Sequence, residues 1–299
     1  MIRQLDALTP DELHGVQLLA TRCKMQDGNS PSLYYDLLAL PRPLPSNFLY
    51  YDENDDTTPI GFLGIYFFFT EGCEIGLVID PAYRKQGIAT KLIKAAIPLL
   101  MTQGIQKILF SAPADINDTW LQAKGLTLDH EEYRMQRDPK AQAIASNQKL
   151  TVHEATPGDI PQLSELDKRC FPDQEPTALE RFQELLDDKE YTLLIASCEN
   201  HIIGKAHIRW EEDSALFLDI AVFPEHQKQG FGGELLDVCI KRALAAGKTR
   251  LMLDVVVSNH HALRLYTRHG FKPIEARSFW EISLPTLKDH LQIWQRSLH

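Results

Sequence analysis

Cysteine is scarce and unpatterned in this chain of 299 residues: Cys23, Cys73, Cys170, Cys198 and Cys239 are odd in number, widely spaced and without a Cys-x-x-Cys pair. Neither a disulfide framework nor a zinc site is suggested, and no metal ligand set is expected; a reducing cytoplasm is the expected location. No run approaches the ~20 consecutive apolar residues of a membrane helix. The start, Met1-Ile2-Arg3-Gln4-Leu5-Asp6, carries no apolar signal core. Positive charge is short too, with 31 Lys and Arg against 41 Asp and Glu and a net charge of -10. That balance argues against a general basic field for nucleic acid. Neither nucleic acid nor membrane is therefore an expected partner.

What is present fits packed domains: 44% hydrophobic and 24% charged residues. The length suggests about two domains. The chain is organised around Leu218-Asp219-Ile220-Ala221-Val222-Phe223-Pro224, a short apolar strand ended by proline, followed by Glu225-His226-Gln227-Lys228-Gln229-Gly230-Phe231-Gly232-Gly233. Leu236, Ile240, Ala243 and Leu244 then recur at helical spacing. A glycine loop opening a helix presents backbone N–H groups at the positive end of the helix dipole, where an anion can approach closely. A phosphate-bearing ligand suits it, although a Gly-x-Gly pair can also make only a turn. The spelling fits neither a P-loop nor a Rossmann fingerprint.

Gln227-Lys228-Gln229-Gly230-Phe231-Gly232 resembles the Gln/Arg-x-x-Gly-x-Gly/Ala element of the GCN5-related N-acetyltransferases (GNAT). Downstream, the strand Leu251-Met252-Leu253-Asp254-Val255-Val256-Val257 leads into Ser258-Asn259-His260-His261-Ala262-Leu263-Arg264-Leu265-Tyr266-Thr267-Arg268-His269-Gly270-Phe271. Ser258 or Asn259 can cap that helix and Gly270 can end it in a left-handed turn. The string Asn-x-x-Ala-x-x-Leu-Tyr-x-x-x-Gly-Phe resembles a second hallmark of the same family, in the right order. The stretch around Asp254 is similar to ribosomal-protein alanine acetyltransferases.

The central stretch is repeated. Leu77-Val78-Ile79-Asp80-Pro81 leads into Ala82-Tyr83-Arg84-Lys85-Gln86-Gly87-Ile88-Ala89-Thr90, with Pro81 matching Pro224 and Gly87 matching Gly230. A helix face of Leu92, Ile93, Ala96, Ile97 and Leu100 follows, with Pro98 expected to kink or strain it. The resemblance therefore implies an α/β (α+β) protein of two tandem GNAT domains, each a mixed, mostly antiparallel central sheet with flanking helices, an arrangement similar to mycothiol synthase. Expected boundaries are residues 1–138, a polar linker 139–149, and 150–299. Aligning Gly125 with Gly270 puts Leu121 where Tyr266 stands and Ala114 where Asn259 stands, so the first half is expected to be non-catalytic. Leu287, Leu291, Trp294 and Leu298 form a terminal stripe, read as a helix docked on its own domain, with a dimer contact as the alternative.

The resemblance implies acetyl-coenzyme A as acyl donor, with direct transfer to an amine in a ternary complex. It places the pyrophosphate on the amides of residues 227–233 and the pantetheine arm along Ile220, Ala221 and Val222, with Asn259 holding a pantetheine amide. Residues 84–90 are a second candidate phosphate loop. Tyr266 is the expected general acid to the leaving thiolate, since a phenol near ~10 is protonated at neutral pH. Asp254 is the first candidate for the base and Asp219 the second. The acceptor is expected to be a primary amine, on a small molecule or a protein N-terminus, and the protein a monomer or homodimer. The other class left open is an acyl-coenzyme A-binding sensor or scaffold that does not turn over.

Overall fold

Each half of the chain alternates strands and helices in the same order. The computed structural model describes residues 1–53, 55–141, 149–172 and 179–296. In the first half, β1 (Ile2–Leu5) is followed by α1 (Pro10–Asp27) and the short α2 (Tyr35–Leu38). Then come β2 (Asn47–Tyr51), β3 (Pro59–Tyr66), β4 (Gly72–Ile79), α3 (Ile88–Thr102), β5 (Lys107–Pro113), α4 (Asp118–Ala123) and β6 (Thr127–Arg137). The second half repeats this with β7 (Thr151–Glu154), α5 (Ile160–Cys170), α6 (Leu179–Asp187), β8 (Tyr191–Cys198), β9 (His201–Trp210) and β10 (Ser214–Val222). It closes with α7 (Phe231–Ala245), β11 (Arg250–Val256), α8 (His260–Arg268), β12 (Phe271–Ser283) and α9 (Leu284–Arg296).

Local chemistry accounts for several of these ends. Thr9 and Glu12 form a reciprocal capping box at the start of α1, Pro10 occupies its first turn, and Gly28 ends it at φ 78°. The β8–β9 hairpin turns through Glu199 and Asn200, both left-handed at φ 50° and 66°. Pro98 lies inside α3, and the helix continues past it to Thr102.

The chain divides into two compact units, Met1–Glu132 with Ala276–His299, and Tyr133–Glu275. These differ from the expected boundaries at 138 and 150, and most of the expected linker, residues 142–148, lies outside the described residues. The first unit's sheet runs β1-β2-β3-β4-β5 and is completed by residues 277–283 of β12, antiparallel to β5. The second unit's sheet runs β7-β8-β9-β10-β11 and is completed by residues 133–137 of β6. Each half thus surrenders its closing strand to the other unit. Burial explains the exchange: Trp280 and Ile282 of β12 sit in the core of the first unit with Ile108 and Phe110, whereas Met135 of β6 sits in that of the second with Leu251 and Leu253. The terminal helix follows its strand. Leu284, Leu287 and Leu291 join the core of the first unit rather than that of the half in which α9 is encoded; the side chains of Trp294 and Leu298 lie outside the described set.

One buried acid contributes to the first unit's response to pH. Glu74 on β4 accepts a hydrogen bond from the Tyr34 hydroxyl at 2.8 Å. Burial pushes its carboxyl up to about 7, against the pull of the Tyr34 bond. Because the folded value lies above the unfolded one, the native state holds a proton that the unfolded chain gives up. Its contribution is complete below pH 4.5 and is lost as pH rises through about 7. Glu74→Gln is neutral and can still accept from Tyr34. It is expected to flatten this part of the profile and raise the unfolding midpoint at pH 8, by up to roughly 3 kcal/mol. Denaturant melts of both forms between pH 4 and 8 check it.

Candidate active site

The two glycine loops have one backbone. In the second unit Gln227 is extended (φ -69°, ψ 165°), Lys228 is left-handed at φ 61° and Gly230 is left-handed at φ 95°. The first unit repeats this with Arg84 (φ -68°, ψ 160°), Lys85 at 63° and Gly87 at 77°. The anchoring repeats as well: Gln227 Nε2 donates to the Val222 carbonyl at 2.9 Å, and Arg84 Nε to the Ile79 carbonyl at 3.2 Å. Buried Phe231, packed with Ile203 and Val222, pins the start of α7. No side chain caps α7 or α3, so first-turn N–H groups are left to whatever anion the loop receives. At Gly230 an added Cβ would meet nothing within 4 Å, and at Gly232 only the Leu265 side chain at 3.6 Å. The glycines are thus not demanded by internal packing. Gly230 is demanded by its φ, and the space beside Gly232 is available to a ligand.

Beyond the loop the sheet opens. β10 and β11 pair in parallel only over residues 214–217 against 250–253. Past that point β10 carries a bulge between Leu218 and Ala221, with Asp219 left-handed at φ 48°. The β11-facing edge over residues 218–222, which includes Ile220, Ala221 and Val222, therefore has no strand partner among the described residues.

Tyr266 stands on α8 with its ring packed edge-on to Phe271, centroids 6.2 Å apart. Burial pushes its phenol up to about 12, with the neighbouring Cys239 thiol and then the Asp219 carboxylate acting in the same direction. The phenol and the Asp219 carboxylate are thus within electrostatic reach of each other. Asn259 caps α8, its Oδ1 accepting from the Ala262 N–H at 3.1 Å, which leaves its Nδ2 to donate elsewhere.

The two candidate carboxylates differ sharply. Asp254 faces Arg134 in a bidentate pair, Nε to Oδ1 at 2.9 Å and Nη2 to Oδ2 at 2.8 Å, so a fixed guanidinium occupies both its oxygens. Asp219 pairs with the buried imidazole of His207, Nδ1 to Oδ2 at 3.0 Å, and half of its side chain remains exposed. Burial alone would raise its carboxyl; the His207 bond and charge and the charge of Lys205 outweigh that and bring it down to about 2. Neither His207, Lys205 nor Arg134 was singled out in the sequence. A signal existed for two of them, since Lys205 and His207 are charged or polar at i and i+2 within the otherwise apolar run of residues 202–208.

The corresponding place in the first unit is closed. Leu121 is a core residue there. β4 and β5 part after Gly76 and Ser111, but Ser32 lies against that point. Its N–H donates to Ser111 Oγ at 3.2 Å, and a Cβ on Gly76 would come within 2.3 Å of its carbonyl oxygen. Arg84, one of the two cations of the first loop, is itself held in a bidentate pair with Asp27 at 2.8 and 2.7 Å.

Comparison with known proteins identifies the family and the fold. The family model described as "Acetyltransferase (GNAT) family" matches residues 15–119 and 160–271. The ribosomal protein bS18-alanine N-acetyltransferase of Escherichia coli (strain K12) is 38% identical over 65 residues, 22% of this chain and 44% of that protein. Its counterpart in Haemophilus ducreyi is 35% identical over 79 residues, 26% and 54% respectively. The chain spans about half the length of these relatives. Among solved structures, a GCN5-related N-acetyltransferase from Sphaerobacter thermophilus superposes with a TM-score of 0.78 at 17% identity, covering 95% of each chain. A tandem GNAT protein from the clavulanic acid biosynthesis pathway gives 0.69 at 15%, covering 95% of this chain and 99% of that one.

Proposed function

Because the chain belongs to the acetyltransferase (GNAT) family, with the family model matched in both halves, we propose that it is an acetyl-coenzyme A-dependent N-acetyltransferase whose reaction takes place in the second unit. The observation that carries the reading is the conjunction there of an uncapped glycine loop, an open strand edge beside it and a protonated phenol on α8. The first unit shares only the loop. The donor substrate is bound through its pyrophosphate by the N–H groups of residues 228–233 and through its pantetheine arm by the edge of β10 and by Asn259. It supplies an activated acyl group and a thiolate leaving group.

The chain's own residues do the rest. An N–H on the open edge of β10 polarises the acyl carbonyl, as an oxyanion hole does. Tyr266 hands its proton to the departing sulfur. The acceptor is a primary amine, on a small molecule or a protein N-terminus, and it arrives as an ammonium that must lose a proton before attack. Of the two carboxylates, Asp219 is the one to meet it, because both oxygens of Asp254 are engaged by Arg134. A carboxyl held near 2 is a weak base and a strong ion partner. Asp219 therefore orients the ammonium, and the amine gives its proton directly to bulk water beside this half-exposed group. The setting for this chemistry is the cytoplasm, and among the described residues no helix is long and apolar enough to cross a membrane.

Gly232→Val tests the loop. The Cβ position has ordinary contacts, so the fold should tolerate the change while the ligand's approach is blocked. The dissociation constant of acetyl-coenzyme A is expected to rise at least tenfold, about 1.4 kcal/mol. The titration is done with the first loop disabled by Gly87→Asp, since aspartate accepts a left-handed φ and sets a negative charge against an anion. Gly87→Asp alone should leave most turnover intact. Unchanged affinity in the double variant removes the loop assignment. Retained affinity in the wild type with no thiol release from any amine would mean a binding protein that does not turn over.

A further inference from the structure

His207 is an expensive residue to keep where it is. It lies on β9, 2% exposed, opposite Leu193 of β8 and Leu218 of β10, with the Phe182 ring edge-on at 6.4 Å. Buried polar rings are normally satisfied at both nitrogens. Here Nε2 has no hydrogen-bond partner among the described residues, and the bond of the imidazole found among them is the one from Nδ1 to Asp219. Asp219 in turn holds a left-handed backbone at φ 48° in the bulge of β10, a conformation that aspartate tolerates better than most residues. An under-satisfied buried ring and an irregular point in the strand thus converge on one carboxylate.

Position and charge say what the carboxylate is for. The bulge lies just past residue 217, where β10 parts from β11. Half of the Asp219 side chain is exposed beside the unpaired edge of β10. Beside His207 on the same strand is Lys205, fully buried, hydrogen-bonded to Asp167 of α5 and lying over the rings of Phe182 and Phe171 at 5.3 and 5.9 Å. Both His207 and Lys205 act to keep Asp219 ionised. One carboxylate oxygen is tied down by the imidazole, and the rest of the group is free to meet a cation from the solvent side.

We propose that His207 is a positioning residue that fixes the Asp219 carboxylate in the cleft as the docking point for a cationic acceptor, so that the enzyme selects aliphatic ammonium groups over amines that are neutral at assay pH. The proposal rests on the transferase reading above. It names the acceptor class by its charge and gives the buried imidazole its function.

The test compares two amines of identical formula, phenethylamine, a cation at pH 7.5, and 4-ethylaniline, which is neutral there, in a thiol-release assay. The wild type should prefer the cation. His207→Phe, which fills the same space without a donor, should raise KM for phenethylamine at least tenfold, change kcat less, and leave KM for 4-ethylaniline nearly unmoved. Asp219→Asn should lose the same preference. His207→Asn, whose amide nitrogen stands close to the place of Nδ1, should restore it in large part. Equal changes for both amines in His207→Phe, or none, overturn the positioning role while leaving the transferase intact, as does a wild type with no preference for the cation. A wild type that acetylates neither these nor any other amine overturns the transferase reading and this proposal with it.

Discussion

Replacing Tyr266 with Phe is expected to lower turnover by about 10²- to 10⁴-fold, the usual worth of a general acid, while the affinity for acetyl-coenzyme A barely moves. The substitution keeps the ring that packs against Phe271 and removes only the hydroxyl, for which no hydrogen-bond partner is found among the described residues. Loss of a structural bond therefore cannot account for a fall in rate. The pH profile sharpens the expectation. Burial holds the phenol up to about 12, so it stays protonated throughout the neutral range and through mild alkali. Turnover in the wild type should show no descending limb from this group between pH 7 and 10, and the deficit of Tyr266→Phe should be constant across that interval. Steady-state thiol release and a cofactor titration on both proteins check the claim. A Tyr266→Phe protein as fast as the wild type would sink the acid assignment.

The parts of this site that were legible in the sequence are those whose chemistry is local. The left-handed positions at Gly230 and Gly87, the cap at Asn259 and the turn at Gly270, φ 85°, each follow from a few adjacent residues, because backbone conformation is decided over that range. What depends on partners distant in sequence was not legible. Asp254 reads as a free strand-end carboxylate until Arg134, 120 residues earlier, is found against both its oxygens. Asp219 reads as its lesser alternative until the bulge and the buried imidazole are seen. The exchange of β6 and β12 has the same origin. Both strands carry the alternation of a closing strand, and nothing local in Met135 or Trp280 says which core will take it.

The closed point in the first unit bears on why one chain keeps two copies of the fold. Its loop geometry survives, with Lys85 and Gly87 left-handed as in the second unit, yet Arg84 is spent on Asp27 and Ser32 covers the end of the β4–β5 pair. A loop can be kept by the folding of its own backbone alone. An open cleft cannot, since unpaired strand edges and exposed apolar walls are filled unless a ligand selects against it. The asymmetry between Leu121 and Tyr266 is thus one part of a wider difference, in which the first unit has become a packed domain around a retained turn.

The Lys205–Asp167 pair should show how closely stability and site chemistry are joined in the second unit. Lys205 is fully buried, and the Asp167 side chain is 8% exposed, with no hydrogen-bond partner for its Oδ2 among the described residues. Lys205→Met preserves the length and apolar contacts of the stem but leaves a buried carboxylate without its counter-ion, which is expected to cost about 3–5 kcal/mol. That is a large share of the ~5–15 kcal/mol that holds a domain together. A second change, Asp167→Leu, removes the stranded charge and should recover most of the loss, because the desolvation of two ions is avoided along with their attraction. Thermal or denaturant unfolding of the single and double variants measures this directly. The double variant then separates fold from chemistry. It is folded but lacks the Lys205 charge that helps the His207 bond to hold Asp219 near 2, so the Asp219 carboxyl should rise and the preference for a cationic amine should weaken, while Tyr266 and the loop are untouched. A Lys205→Met protein as stable as the wild type would show that Asp167 bears no buried charge and that the pair contributes nothing. A fully stable double variant with unaltered amine preference would show that His207 alone sets the state of Asp219.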